Sequence, residues 1–270
     1  MTHAPMNIEQ QSAVDTIYGP LLVLAGAGSG KTRVVTFRIV KILEQGARPS
    51  EILGLTFTNK AAGEMKERVR QLTHHHVLIC TFHSLGARIL RESIHVLGYM
   101  PGFTIYDEQD VEKIMKVCLS EMNSPTKLES KLFLKLISNA KNALQEPGDI
   151  EPNTLEEDEK YFPEVYTRYQ AKLKEYNALD FDDLLYLPVK LFKEHPEVLE
   201  HYQKRWSFLL IDEYQDTNAA QYTIVRHLVA KHQNLCVVGD PDQSIYSWRG
   251  ANIQNILGFE KDYPGAKVVR

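Results

Sequence analysis

Cysteine, tryptophan and long apolar runs are all scarce in this 270-residue chain, and each shortage removes a class of protein. The three cysteines, Cys80, Cys118 and Cys236, lie far apart with no Cys-x-x-Cys pair, so neither a disulfide-stapled scaffold nor a cysteine-based zinc site is expected, and a reducing compartment suits them. No apolar stretch approaches the roughly 18 residues of a membrane helix, and the N-terminus lacks the charged-then-apolar pattern of a signal peptide. A cytoplasmic chain with no membrane association is expected. Positive charge is not in surplus either: the formal net charge is −4, so the global basic field of many duplex-DNA binders is missing and any nucleic-acid contact must be local. The run His74-His75-His76 has no cysteine or carboxylate beside it and reads as a solvated turn rather than a metal site.

What is present is an ordinary globular composition, 43% hydrophobic and 24% charged, in a chain long enough for one large domain or two small ones. Short β-rich apolar runs at 21–25, 52–58, 77–82, 208–212 and 235–239 alternate with helical segments, the rhythm of a parallel sheet with crossover helices. Between about 107 and 179 helical periodicity continues without a convincing strand. There Val111, Ile114, Met115 and Cys118 share one helix face, and Leu132, Leu136, Ile137 and Ala140 share another. The expected division is therefore a first sheet-bearing part at 1–106, an inserted helical subdomain at 107–179 and a second sheet-bearing part at 180–270.

The most informative stretch is Ala25-Gly26-Ala27-Gly28-Ser29-Gly30-Lys31-Thr32, directly after the apolar run Leu21-Leu22-Val23-Leu24. Backbone N–H groups of such a glycine-rich loop can close around phosphate oxygens, so Ala27, Gly28, Ser29 and Gly30 are candidate phosphate contacts. Lys31 can reach the β and γ phosphates, and Thr32 can place its hydroxyl on Mg²⁺. The helix opening near Lys31 adds its positive N-terminal dipole. Ala25 stands where the strict pattern has glycine. A dinucleotide fingerprint fails here, because its third glycine would fall on Lys31.

A second motif completes a phosphohydrolase site. The apolar strand Phe208-Leu209-Leu210-Ile211 ends in Asp212-Glu213, at the strand end where an open α/β sheet places its ligand chemistry. Asp212 is the second candidate metal ligand, and Glu213 is the candidate base for the attacking water. Another apolar strand then leads into the segment from Gly239 to Gly250, which contains Gln243, Tyr246, Trp248 and Arg249. Tyr246 and Trp248 have two readings on spacing alone, core aromatics at alternating positions or stacking platforms for bases. Phe82 reads equally as core or base contact, and Lys60 and His83 as solvated, helix-capping or DNA-contacting residues.

Six ordered motifs carry a family resemblance: 7–13, 25–32, Thr56-Phe57-Thr58-Asn59-Lys60-Ala61-Ala62, Thr81-Phe82-His83-Ser84, Asp212-Glu213-Tyr214-Gln215-Asp216 and 239–250. Together they resemble the N-terminal part of a UvrD/PcrA/Rep-type superfamily 1 DNA helicase, over nearly the whole chain. The resemblance implies an α/β fold with a RecA-like, P-loop NTPase parallel sheet flanked by helices, and identifies the inserted helices with subdomain 1B. It implies ATP with Mg²⁺ as the nucleotide, adenine contacts from Gln10 and Arg33, and a γ-phosphate sensor in Gln243. It further implies a single-strand track lined by Phe57, Asn59, His83, Tyr246, Trp248 and Arg249.

The function so implied is an ATP-dependent 3′-to-5′ helicase or translocase acting on single-stranded DNA and on ss/dsDNA junctions, with DNA-repair or replication proteins as partners. In the family the second motor domain supplies an adenine-stacking tyrosine and transition-state arginines. The present chain reads as a half-motor that stops at Arg270 before that domain, is monomeric and has little or no activity alone. The competing reading is a stand-alone, non-enzymatic module that binds ATP or single strands. A P-loop kinase or GTPase would call for a late Asn-Lys-x-Asp motif, which is absent; Asn59-Lys60-Ala61-Ala62 lacks the aspartate.

Overall fold

The computed structural model describes residues 5–26, 28–122, 128–151, 156, 159–244 and 250–270. The chain begins with helix α1 (Ile8–Asp15), capped by reciprocal hydrogen bonds between Asn7 and Gln10, and continues into strand β1 (Leu21–Leu24) and helix α2 (Lys31–Glu44). Strand β2 (Ile52–Thr56) leads to helix α3 (Asn59–Thr73), where the Thr58 hydroxyl accepts the Ala61 N–H at 3.1 Å. Ala62, Met65 and Val69 of α3 turn inward at helical spacing. Strand β3 (Leu78–Thr81) runs directly into helix α4 (Phe82–Ser93). His74 ends α3 with a left-handed backbone, and all three neighbouring histidines are exposed.

Residues 86–195 form one compact unit. It holds a two-residue strand β4 (Thr104–Ile105), helices α5 (Glu108–Ser120), α6 (Ser130–Asn142) and α7 (Phe162–Glu175), strand β5 (Ala178–Leu179) parallel to β4, and helix α8 (Asp183–Glu194). The segment 107–179 lies within this unit. Its core packs Met115 and Cys118 of α5 against Phe133 and Ile137 of α6 and Tyr166 and Tyr169 of α7. On α6 the buried stripe is Phe133, Ile137, Ala140 and Lys141, so the face is centred one residue beyond Leu132, which is only half-buried. Phe133 wins that place because its ring fills more of the space between three helices than a leucine would.

The other compact unit comprises 1–85 and 196–270. Its second segment adds helix α9 (Pro196–Arg205), strand β6 (Phe208–Ile211), helix α10 (Ala219–Val229), strand β7 (Leu235–Gly239), the short helices α11 (Gln254–Leu257) and α12 (Phe259–Asp262), and strand β8 (Lys267–Val269). Six parallel strands make one sheet in the order β3-β2-β6-β7-β1-β8. Leu21, Val23, Leu210, Cys236 and Val238 belong to one core cluster with Val34, Ile39 and Met65 of the covering helices. The intervening residues Leu22, Leu209, Ile211 and Val237 are buried too, as a parallel sheet covered on both faces requires. In register, Leu24 pairs with Gly239, Ile211 with Val237 and Leu55 with Ile211, so the loops leaving β1, β2, β6 and β7 emerge together at one edge. Among the described residues, no helix is long and apolar enough to cross a membrane.

Candidate functional site

The loop after β1 is built for a close approach of backbone to a ligand. Ala25 N–H still donates to Gly239 O at 3.2 Å, prolonging the sheet by one bond, after which the chain turns away. Gly28 and Gly30 have φ of 73° and 82°, a left-handed backbone that a β-carbon disfavours, and Ser29 closes the turn by donating its hydroxyl to Gly26 O at 2.6 Å. Helix α2 then starts at Lys31 with first-turn N–H groups that have no partner within the helix, which makes the cavity in front of it attractive to an anion. A cleft of about 230 Å³ opens here, bounded by Gln10, Gly26, Ser29, Lys31 and Val269. Gln10 braces its rim: its side-chain oxygen accepts Asn7 N–H at 3.1 Å and its amide donates to Ser29 O at 2.8 Å. Arg33, half-buried on α2, sets its guanidinium 5.4 Å from the Phe37 ring.

Strand β6 brings the acids to the loop. Asp212 is buried, donates its N–H to Leu55 O at 3.1 Å and accepts the Thr32 hydroxyl at 3.0 Å, a contact between residues 180 positions apart in sequence. Burial pushes the Asp212 carboxyl above the usual carboxylate range and the neighbouring Glu213 adds to this, while the Thr32 hydrogen bond and the Lys31 charge pull it back. Glu213 adopts φ of 54° and holds its carboxylate 3.6 Å from Lys31 Nζ, which is buried and has no hydrogen-bond partner. A buried ammonium with a long ion pair and no hydrogen bond, beside a loop of left-handed glycines, fits a phosphate. A hydroxyl and a carboxylate oxygen already in contact form the hard-oxygen pair that Mg²⁺ prefers.

A third layer ties β6 to β7 through Gln215, a residue of the 212–216 motif to which the sequence assigned no role. Gln215 donates to Glu213 Oε2 at 2.7 Å and accepts Asp240 N–H at 3.0 Å, so one amide fixes the candidate base to the end of the neighbouring strand. A β-carbon on Gly239 would run into that amide, which explains glycine at the strand's last position. The Gln243 amide donates to the Asp240 carboxylate. Asn7 opens the 7–13 motif, but its capping role was not assigned there, although an asparagine three residues before a glutamine at a helix start is a recognisable capping signature.

Of the candidate DNA contacts, Phe57 follows β2 and is half-buried, with its ring centroid 5.4 Å from that of the fully buried Phe82 after β3. Asn59 is exposed at the first position of α3, and His83 is half-buried at the start of α4. Thr56 pairs with Thr81, so these side chains leave the sheet at the same edge as the acids. Ala27, Tyr246, Trp248 and Arg249 lie outside the described residues.

A parallel sheet whose first strand feeds Gly-Lys-Thr into a helix, with an Asp-Glu pair at the end of another strand, defines a P-loop nucleotide-binding domain. The chain belongs to the UvrD/REP helicase family, whose N-terminal domain matches residues 6–264. Over 269 residues it is 49% identical to the ATP-dependent DNA helicases PcrA of Staphylococcus aureus strain Mu50 and Staphylococcus epidermidis strain ATCC 12228, covering 98% of this chain and 37% of each relative. It therefore spans little more than a third of the length of these curated relatives.

Proposed function

We propose that this chain is the ATP-binding half of an ATP-dependent, 3′-to-5′ DNA helicase or translocase that acts on single-stranded DNA and ss/dsDNA junctions. The observation that carries the reading is the meeting of Lys31 and Thr32 with Glu213 and Asp212 at 3.6 Å and 3.0 Å. The direction of travel and encounters with DNA-repair or replication proteins rest on the family resemblance alone, and the cytoplasmic setting on the cysteine usage and the scarcity of long apolar runs.

In this mechanism Lys31 exchanges Glu213 for the β and γ phosphate oxygens of ATP. Gln215 keeps hold of Glu213 Oε2, the oxygen that also faces Lys31, while Oε1 accepts a proton from the attacking water. Thr32 and Asp212 would hold Mg²⁺, which when bound neutralises charge on the phosphates. Gln10 and Arg33 border the adenine, with the second amide proton of Gln10 available to it. Gln243, on the turn after β7, reports the γ-phosphate to the segment that carries Tyr246, Trp248 and Arg249. Phe57, Asn59 and His83 complete the strand track, where ring stacking grips any base without reading sequence.

Glu213→Gln tests the assignment. Binding of a fluorescent ATP analogue should stay within a few-fold, while DNA-stimulated turnover of the full-length protein should fall by about 10²–10⁴, the usual worth of a positioned base. Near-normal turnover would remove Glu213 from the chemistry.

A further inference from the structure

Arg38 of α2 is a buried cation in the core of the sheet-bearing unit. It is 1% exposed and burial works against its charge, yet among the described residues no carboxylate pairs with it. Its two terminal nitrogens donate instead to backbone carbonyls, Nη1 to Ala13 O at 2.8 Å and Nη2 to Ile17 O at 3.0 Å, while Nε has no partner. Ala13 lies in the last turn of α1, where carbonyls have no helical N–H to bond, and Ile17 two residues past the end of the helix. An apolar side chain of similar volume would avoid the cost of burying the charge but leave both carbonyls without this donor. What a planar guanidinium adds is direction, because its fork fixes two acceptors relative to the helix that carries it.

That helix is α2, and its N-terminus is the phosphate site. Arg38 lies seven residues, about two turns, beyond Lys31, so the two side chains share a face. The helix that Arg38 grips is the one that bears Gln10, about one turn before Ala13, and Gln10 in turn holds Ser29 of the phosphate loop. A second cation grips the same end of α1: Lys267 of β8 donates to the hydroxyls of Ser12 and Thr16 at 2.7 Å and 2.8 Å. Thus α1 is clamped at its C-terminal end by two cations and reaches the nucleotide cleft with its N-terminal end.

We propose that Arg38 is a positioning residue for base recognition: through α1 it sets Gln10 relative to the phosphate cradle, so that nucleoside and triphosphate are read as one rigid template. The inference rests on the nucleotide reading above and adds the residue that aligns the two halves of that site. Lys267 is the weaker, exposed partner in the same clamp.

The test compares ATP with inorganic tripolyphosphate, which carries the phosphates without the base, by competition against a fluorescent ATP analogue in the 270-residue chain. The variants are Arg38→Lys, Arg38→Met and Lys267→Met. Arg38→Met should lose about tenfold in ATP affinity, equivalent to disordering one positioned polar contact, with tripolyphosphate affinity unchanged. Arg38→Lys should recover part of the loss, because an ammonium can reach one carbonyl but not both. Lys267→Met, at an exposed site where folding is not at issue, should move the ATP-to-tripolyphosphate ratio in the same direction by a smaller factor. Equal losses for both ligands, or an unchanged ratio in Arg38→Lys and Lys267→Met, would make the clamp merely structural and overturn the proposal. A wild-type chain that binds tripolyphosphate as tightly as ATP would defeat base recognition itself, and one that binds neither would defeat the nucleotide reading on which it rests.

Discussion

Lys31 and Glu213 sit as a pair with two uses. At 3.6 Å the ammonium and carboxylate neutralise each other across the mouth of the site, with Glu213 partly solvated and Lys31 buried. In the proposed mechanism this arrangement holds the cation where a phosphate can take it and occupies the candidate base until then. Removing Lys31 should therefore act on binding before chemistry: Lys31→Ala should weaken ATP binding by at least about tenfold, since a charged hydrogen bond to phosphate contributes roughly 1.5–3 kcal/mol. Equilibrium titration with a fluorescent analogue checks this, and unchanged affinity would show that the loop backbone alone holds the triphosphate. Thr32 and Asp212 follow the same logic on the metal side. The carboxyl that burial pushes toward its protonated form is the one a divalent cation would hold ionised.

At the scale of elements, the helical unit is organised around a buried cation that its sequence disguises. Lys141 follows the apolar stripe of α6, where a lysine reads as solvated, but it is fully buried and bonds Asp180 at 2.7 Å and Asp183 at 2.8 Å across the junction of β5 and α8. The Tyr169 hydroxyl donates to Asp180, Gln170 donates to Asp183, and Asp182 accepts from Asn142 nearby. One cation thus faces three carboxylates, and burial with the charge of Asp180 pushes the Asp183 carboxyl up to about 7. A folded pKa raised above the unfolded one, near 3.9, means that the folded state holds the extra proton. The stability so contributed is complete below the unfolded value and is lost as pH rises through neutrality. Thermal melting of the wild-type chain should accordingly show a steeper fall between about pH 4 and 7 than that of Asp183→Asn, a difference on the order of a few kcal/mol at most. Parallel pH profiles for the two proteins would mean that Lys141 keeps both carboxylates ionised. Close backbone packing accompanies this network: a β-carbon on Gly86 of α4 would collide with the Leu184 carbonyl of α8.

Across the whole molecule, what could be read in advance follows from how locally each feature is encoded. Strands β1, β2, β3, β6 and β7 were legible because a sheet buried on both faces writes itself as short uninterrupted apolar runs, and the phosphate loop because its glycines, lysine and threonine are contiguous. The β4–β5 pair was not, since two residues carry no periodicity, and neither were Gln215 and Arg38, whose partners lie on other elements. The same distinction between local and distant contributions bears on activity. In the proposed mechanism the triphosphate cradle, the metal pair and the base all fall within one compact unit made of 1–85 and 196–270, yet the chain covers 37% of relatives whose names describe ATP-dependent DNA helicases. In the related phosphoryl-transfer enzymes an arginine reaching the transition state contributes about 10³–10⁵ in turnover, and the family resemblance assigns that arginine to the second motor domain. The 270-residue chain should therefore bind ATP in a titration, while its steady-state hydrolysis stays at least about 10³ below that of the full-length protein and shows no response to single-stranded DNA. A DNA-stimulated ATPase assay on both forms decides it. Comparable turnover in the two would place the whole catalytic apparatus inside these 270 residues, and Arg33 would then be the first residue to examine, since it is carried by the same helix as Lys31.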